Sequence, residues 1–300
     1  MKNAHLVKLF VNPVAGGGKC RKLYPEIVQG LHEAGIRCDV IVSRYPGHIT
    51  EVSSELAARG CETVIACGGD GTVNEVINGI AGTETALGIV PAGTANDFAA
   101  NMGISEDISV ACRIIKQGRL KKIDLVRVNN DKFFAGTGCI GFDAEVAAFA
   151  ARTRKKSLDP FLAHVLGGIL KFFTYRPKTV ELRFNEKRYF GKILLAAFGN
   201  TRSYARGILI TPRAVPDDAL LDICVVKPMP KQKILSTFPS AYKGAHINKK
   251  EIALYQTDAV WVQSVGPMEL YGDGDFMTTT PFRLKVMPKS LNVMAGCSVF

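Results

Sequence analysis

Apolar and polar positions repeat with two different textures along this chain. In the first half, short apolar runs at His5–Val11, Arg37–Val42, Thr63–Cys67, Ala86–Val90 and Lys122–Val128 read as strands. Between them, Lys19–Ala34 has Leu23, Ile27, Val28 and Leu31 at helical spacing and Gly35 as a stop. Ile49–Ala58, Val73–Ile80, Asp97–Asn101 and Ile108–Gln117 read as further helices. Strands alternating with helical stretches predict βαβ units and a mostly parallel sheet.

After Val126 the texture changes. VRVNNDKFFAG predicts a hairpin turning at Asn129-Asn130-Asp131. Helical stretches follow at Phe142–Arg154 and Phe161–Phe173. In the second, Phe161, Leu162, Val165, Leu166, Ile169, Leu170 and Phe173 share one face, which predicts core packing. Thr179–Phe184, Arg188–Phe198, Leu220–Val226, Ala259–Gln263, Met268–Tyr271 and Phe282–Val286 then read as mostly antiparallel strands. The expected organisation is an α/β domain over 1–128 and a mostly β domain over 129–288.

The chain has 300 residues, 47% hydrophobic and 22% charged, which excludes a disordered or fibrous protein. No run approaches the roughly 20 apolar residues of a membrane span, and the N-terminus lacks a signal-peptide pattern, so a cytoplasmic location is expected. Eight cysteines include no CxxC pair, so thiolate zinc is not expected and they read as small buried hydrophobes in a reducing compartment. The charge is uneven. Residues 1–150 carry 15 Lys+Arg against 16 Asp+Glu, and residues 151–300 carry 23 against 11. A basic half seeks a polyanion: nucleic acid, anionic membrane or a phosphorylated ligand. No RNA-recognition strand motif or zinc module supports nucleic acid.

Candidate chemistry lies in turns that follow strands, on the ligand side of an open α/β sheet. They are Asn12-Pro13-Val14-Ala15-Gly16-Gly17-Gly18-Lys19, Gly68-Gly69-Asp70-Gly71-Thr72, Pro91-Ala92-Gly93-Thr94-Ala95-Asn96-Asp97 and the weaker Tyr45-Pro46-Gly47-His48. Glycine lets backbone N–H groups approach an anion, and a following helix directs its positive end there. Asp70 and Asp97 beside a phosphate imply an intervening cation, Mg²⁺. A P-loop fails because Cys20 follows Gly18-Lys19, and Gly136–Gly141 matches GxGxxG without the strand context of a dinucleotide fold.

GGDGTVNEVING at 68–79, with NPVAGGGK upstream and PAGTANDFA downstream, resembles the diacylglycerol-kinase catalytic domain, most closely its bacterial soluble lipid-kinase branch. The resemblance runs from Asn12 to the strand near Val293. It implies an N-terminal α/β nucleotide-binding domain like that of NAD kinases and a C-terminal β-sandwich, with the active site in the cleft between them. It also implies that a final strand at about 289–296 returns to the first domain.

Carried over residue by residue, Asn12, Pro13, Val14, Ala15 and Gly16 match the first nucleotide loop, and Ser43 stands where the family usually has Thr. Gly68, Gly69, Asp70, Gly71, Thr72, Val73 and Asn74 match the phosphate turn, and Thr94 its partner contact. Asp70, Asp97 and Asp124 match acids associated with catalytic Mg²⁺ and its water network. Asp218, with the carbonyls of Val215 and Leu220, matches a structural Mg²⁺ loop in which Ala219 replaces the usual Gly. Asp273-Gly274-Asp275 stands at the family's Asp-Gly-Glu, which makes Asp275 the candidate general base with Asp273 beside it.

The resemblance implies an ATP- and Mg²⁺-dependent lipid kinase, with diacylglycerol the first candidate acceptor. Its partners would be a lipid substrate and, at the periphery, an anionic membrane surface, with no nucleic acid; a homodimer is compatible with the reading. The alternatives are a kinase of another lipid alcohol (sphingoid base, ceramide or glycolipid) and a catalytically weak nucleotide-binding homologue. The basic run Arg152, Arg154, Lys155 and Lys156 is the candidate docking segment.

Overall fold

The computed structural model describes residues 7–154 and 160–296 and divides the chain into two units. Unit one takes residues up to Leu125 and from Pro288 onward; unit two is Val126–Met287.

Unit one begins with β1 (Val7–Val11), α1 (Lys19–Glu33), β2 (Cys38–Val42), α2 (His48–Ala58), β3 (Thr63–Gly68) and α3 (Asp70–Ile80). It continues with β4 (Ala86–Pro91), α4 (Asp97–Asn101), α5 (Ile108–Gln117) and most of β5 (Leu120–Val128). The parallel sheet runs β2-β1-β3-β4. β4 is buried along its whole length and β3 at every position after Thr63, so these runs are apolar on both faces. α5 shows why a helix forms where the pattern predicts one. Asp107 caps it by accepting from the Val110 amide at 3.0 Å, Gly118 ends it in the left-handed region at φ 60°, and Ala111, Cys112, Ile114 and Ile115 are buried.

Unit two holds β6 (Lys132–Phe134), β7 (Thr137–Gly141), α6 (Phe142–Arg154), α7 (Pro160–Thr174), β8 (Lys178–Phe184), β9 (Lys187–Ile193) and β10 (Leu195–Gly199). These are followed by β11 (Leu221–Val226), α8 (Lys231–Ala241), β12 (Ile252–Thr257), β13 (Ala259–Ser264), β14 (Glu269–Gly272) and β15 (Asp275–Thr279). The last strand, β16 (Phe282–Met294), carries the chain back into unit one, where Asn292 and Val293 pair in parallel with Ala86 and Leu87 of β4. One antiparallel sheet runs β12-β11-β10-β7-β14-β15. In the other, the first part of β16 pairs β13, which pairs β8, which pairs β9. Phe134, Val180, Leu182, Phe198, Ile223, Val260, Phe282 and Leu284 fill the space between the sheets.

Three readings change here. Arg188–Phe198, expected as one strand, breaks at Leu194, so that β9 stays in one sheet and β10 crosses to the other. α8, β12 and β15 lie outside the segments that the sequence pattern marks as elements. α8 contains Pro239 and exposes Leu235 and Phe238, so it carries little inward periodicity for a pattern reading to find. α7 turns its small residues inward: Ala163 and Gly167 are buried, and a Cβ on Gly167 would meet the Phe149 ring of α6 at 2.9 Å. Leu162, Val165, Leu166, Ile169, Leu170 and Phe173, expected in the core, are instead exposed, Phe173 to 66%.

Candidate functional site

Three glycine turns of unit one interlock at the carboxyl ends of β1, β3 and β4. The first turn leaves β1 at Asn12, whose amide donates to Cys67 O at 3.3 Å, while Asn12 O accepts from the Ala15 amide at 3.1 Å. Gly16, Gly17 and Gly18 have φ of 61°, 64° and 92°, the left-handed region where a side chain is strained. A Cβ on Gly16 would also meet Ala92 O of the third turn at 2.6 Å, whereas Gly17 and Gly18 face open space. Gly69 and Gly93 touch backbone to backbone, and a Cβ on Gly93 would collide with Gly69 Cα. The second and third turns are joined again by the Ala92 amide donating to Gly68 O at 2.8 Å and the Phe98 amide donating to Asp70 Oδ1 at 3.1 Å.

Asp70 therefore holds the start of α4 from the start of α3. The Thr72 and Val73 amides both donate to Gly69 O, at 2.9 and 3.1 Å, which tightens the first turn of α3. The Thr72, Val73 and Asn74 side chains are buried, and Thr72 Oγ1 is enclosed with no hydrogen-bond partner among the described residues. An orphaned hydroxyl beneath a glycine turn suits a site completed by a ligand or water. Ser43 joins through its backbone, its amide donating to Val11 O at 2.8 Å. Pro13 is partly buried, the Val14 side chain is exposed, Gly71 is exposed, and Thr94 and Asp97 are partly buried. Asp124 is fully buried on β5, and its Oδ1 accepts from the Lys289 amide at 2.7 Å, at a left-handed residue of the returning strand with φ 50°.

Asn96, within the third turn, takes a central role that its motif does not announce. It sits in the left-handed region, accepts from the Gly93 amide at 2.9 Å and donates to Glu106 Oε1 at 2.9 Å, so it shapes the third turn from within. An Asn three residues after a Gly is the local signal that could have flagged it.

In unit two, Asp273 and Gly274 both lie in the left-handed region, with φ of 49° and 84°, and make the tight turn between β14 and β15. Asp273 accepts from the amides of Ala135 at 2.8 Å, Gly136 at 3.0 Å and Thr137 at 3.0 Å. Burial raises its carboxyl to about 6 against the pull of those amides. Both oxygens are thus committed to the 135–137 backbone, and the GxGxxG match that begins at Gly136 runs on as the buried strand β7 rather than as a dinucleotide loop. Asp275, a partly buried residue, opens β15. In the 214–220 loop, Asp218 Oδ1 accepts from the Leu220 amide at 3.0 Å, Val215 is partly buried, and Ala219 takes the left-handed conformation at φ 62°. Asp143 is a second raised carboxyl: burial lifts it to about 6, and the Tyr204 hydroxyl donates to it; burial also raises Asp222.

Among the described residues no three of His, Cys, Asp or Glu gather as a metal cage. Asp70, Asp97 and Asp124 therefore do not form one all-protein centre. Mg²⁺ in its usual nucleotide mode needs only one or two carboxylates, with phosphates and retained waters supplying the other ligands. In the docking run, Arg152 pairs with Glu269 at 3.2 Å, and Lys155, Lys156 and the Arg154 side chain lie outside the described residues. No helix among the described residues is long and apolar enough to cross a membrane.

With this geometry in view, residues 6–128 match the diacylglycerol kinase catalytic domain, and 136–295 match the YegS C-terminal NAD kinase beta sandwich-like domain. A diacylglycerol kinase of Mycobacterium tuberculosis (strain CDC 1551 / Oshkosh) is 31% identical over 294 residues, covering 96% of this chain and 94% of the relative. A diacylglycerol kinase of Bacillus subtilis (strain 168) is 29% identical, covering 92% and 90%. A crystal structure of a diacylglycerol kinase from Bacillus anthracis strain Sterne superposes with a TM-score of 0.75 at 23% identity over 100% of both chains, a likeness of fold. Interlocked glycine turns on a parallel sheet, a β-sandwich second unit and end-to-end sequence similarity together place this chain in the bacterial diacylglycerol kinase and YegS-like family of lipid kinases.

Proposed function

We propose that this lipid kinase uses Mg·ATP and transfers the γ-phosphoryl group to the hydroxyl of a neutral lipid, diacylglycerol before other lipid alcohols, yielding phosphatidate. The observation that carries the reading is the interlock of the three turns: Gly16 on Ala92, Gly69 on Gly93, and Asp70 on the Phe98 amide. Contacts of this kind set backbone amides and two helix starts without long side chains, which suits a polyphosphate. Mg²⁺, when bound, neutralises phosphate charge, with Asp70, Asp97 and Asp124 as the acids that orient it and its water. Asp275 accepts the proton of the lipid hydroxyl, because Asp273 has both oxygens bonded to amides and instead positions the turn. Val215, Asp218 and Leu220 form the loop assigned to a structural Mg²⁺.

The lipid must be met at a membrane, and α7 supports peripheral contact there. Its outward face is apolar, and Lys231 lies 5.7 and 5.1 Å from the Phe172 and Phe173 ring centroids at its end. An apolar helix face in a half with 23 Lys+Arg against 11 Asp+Glu suits an anionic interface. The test is a panel of lipid alcohols with labelled ATP, with and without Mg²⁺. Label is expected in phosphatidate from diacylglycerol; label confined to water-soluble products would overturn the reading, and preferential labelling of a sphingoid base, ceramide or glycolipid would reassign the acceptor.

A further inference from the structure

Two cysteines meet where the first two glycine turns join their elements. Cys20 is the second residue of α1, directly after the Gly16–Lys19 segment, and Cys67 is the penultimate residue of β3, directly before Gly68-Gly69-Asp70. Both side chains are fully buried. Their Sγ atoms lie 3.3 Å apart, and Cys20 Sγ is also 3.4 Å from Cys67 O. A disulfide needs about 2.05 Å between sulfurs, so each would move by only about 0.6 Å. Nothing proposed above uses either thiol; the turns draw only on the backbone around them.

The surroundings divide the roles. Pairing with Cys67 lowers the Cys20 thiol from its ordinary value against the opposite pull of burial, and Cys20 sits in the first turn of α1, where the helix dipole favours a thiolate. The same pairing, with burial, pushes Cys67 up. One sulfur is therefore disposed to be the attacking thiolate and the other to resolve it.

We propose that Cys20 and Cys67 form an oxidation site, closed by a hydroperoxide into an intrachain disulfide that ties the start of α1 to the end of β3. Cys20 attacks a peroxide oxygen, the O–O bond breaks, and a sulfenic acid forms with release of water. Cys67 sulfur then attacks the sulfenic sulfur, the S–S bond forms, the S–O bond breaks, and a second water leaves with the Cys67 proton. The sulfurs together lose two electrons, hydrogen peroxide gains them, and a dithiol reverses the change. Enclosure of both sulfurs selects a small oxidant over a bulky disulfide. The bond itself is independent of what the turns bind. Its effect on activity rests on the proposed function: with the first and second turns held at a new spacing, phosphoryl transfer slows by about tenfold, since misplacement by about 1 Å costs on the order of 10²-fold.

The experiment treats the full-length protein with submillimolar hydrogen peroxide, blocks remaining thiols by alkylation, digests at glutamates and weighs the peptides, with lipid phosphorylation measured in parallel. The expected product joins the Cys20 and Cys67 peptides, two hydrogens lighter than their sum, while the partly exposed Cys38 and Cys61 remain alkylated. Dithiothreitol restores both the separate peptides and the rate, and Cys20→Ser and Cys67→Ala each abolish the linked product. The proposal is overturned if Cys38 or Cys61 oxidises while no linked peptide appears, or if Cys20 goes on to sulfinic acid without pairing. A linked peptide in a protein that phosphorylates no lipid would uphold the site and sink the assigned activity instead.

Discussion

In unit one Gly69 and Gly93 approach until a methyl on Gly93 would collide with the other's backbone, while in unit two a single carboxylate, Asp273, gathers the amides of Ala135, Gly136 and Thr137. The first arrangement needs the absence of side chains and the second needs one particular side chain. The helices show the same contrast. α5 buries Ala111, Cys112, Ile114 and Ile115 against its own sheet, whereas α7 buries Ala163 and Gly167 and leaves its large apolar residues outside. Unit one locks its three turns together through backbone contacts. Unit two instead holds acids raised by burial and, on α7, a row of exposed apolar side chains.

The largest effect is expected at Asp275. Asp275→Asn keeps the size of the side chain and removes the proton acceptor, so transfer should fall by about 10²–10⁴-fold with nucleotide affinity and melting temperature little changed. Wild-type turnover would exclude it as the base. On the backbone side, Gly93→Ala should destabilise by about 3 kcal/mol and lose transfer with it, because the new methyl meets the Gly69 backbone and the Asn96 oxygen that the Gly93 amide already holds. If it melts like the wild type, the interlock is looser than the contact requires.

Enclosed acids make unit two sensitive to pH. Asp143 and Asp273, both raised to about 6, bind protons in the fold that they release when unfolded, where the carboxyl titrates near 4. Their contribution is present below about pH 4 and is lost as pH rises through about 6, by about 3 kcal/mol at most per site. Asp143→Asn, which can still accept from Tyr204, should flatten the rise in denaturant sensitivity between pH 4 and 7. An unchanged slope would place the titration elsewhere.

A smaller effect tests the exterior of α7. Replacing Leu166 and Ile169 with Ser should weaken binding to anionic vesicles by about tenfold, as two apolar side chains no longer leave water, without lowering the melting temperature. A drop in melting temperature would mean that this face packs against protein. The smallest effect is at Ala219, held at φ 62°: Ala219→Gly should stabilise by about 1 kcal/mol by removing a left-handed Cβ strain. Equal or lower stability would show the turn has adapted to alanine.

Much of unit one was legible because its elements are specified locally. Lys19–Glu33, Thr63–Gly68 and Ile108–Gln117 lie within a residue or so of the segments read from spacing and caps, and the three glycine turns sit at strand ends as their composition requires. Unit two was less so. The break at Leu194 is a change of sheet: the mixed Arg188–Ile193 stretch gives way to the wholly apolar Leu194–Phe198, but that shift in hydrophobicity does not by itself say that the chain crosses between sheets. α8 hides behind Pro239 and an exposed apolar face.

Residue order by itself determined the alternation of strands and helices, the positions where only glycine fits, and the motif that named the family, because each depends on neighbours within a few positions. Tertiary structure alone decided the rest. Asp273 reaches amides 136–138 positions away and Asp124 an amide 165 away, so whether these acids face a ligand or a backbone could not be read locally. α7 has ideal spacing for a core helix, but a face is buried only if another element arrives to cover it, and spacing says nothing about arrivals. Cys20 and Cys67 stand 47 positions apart, and only the meeting of α1 with β3 puts their sulfurs within reach.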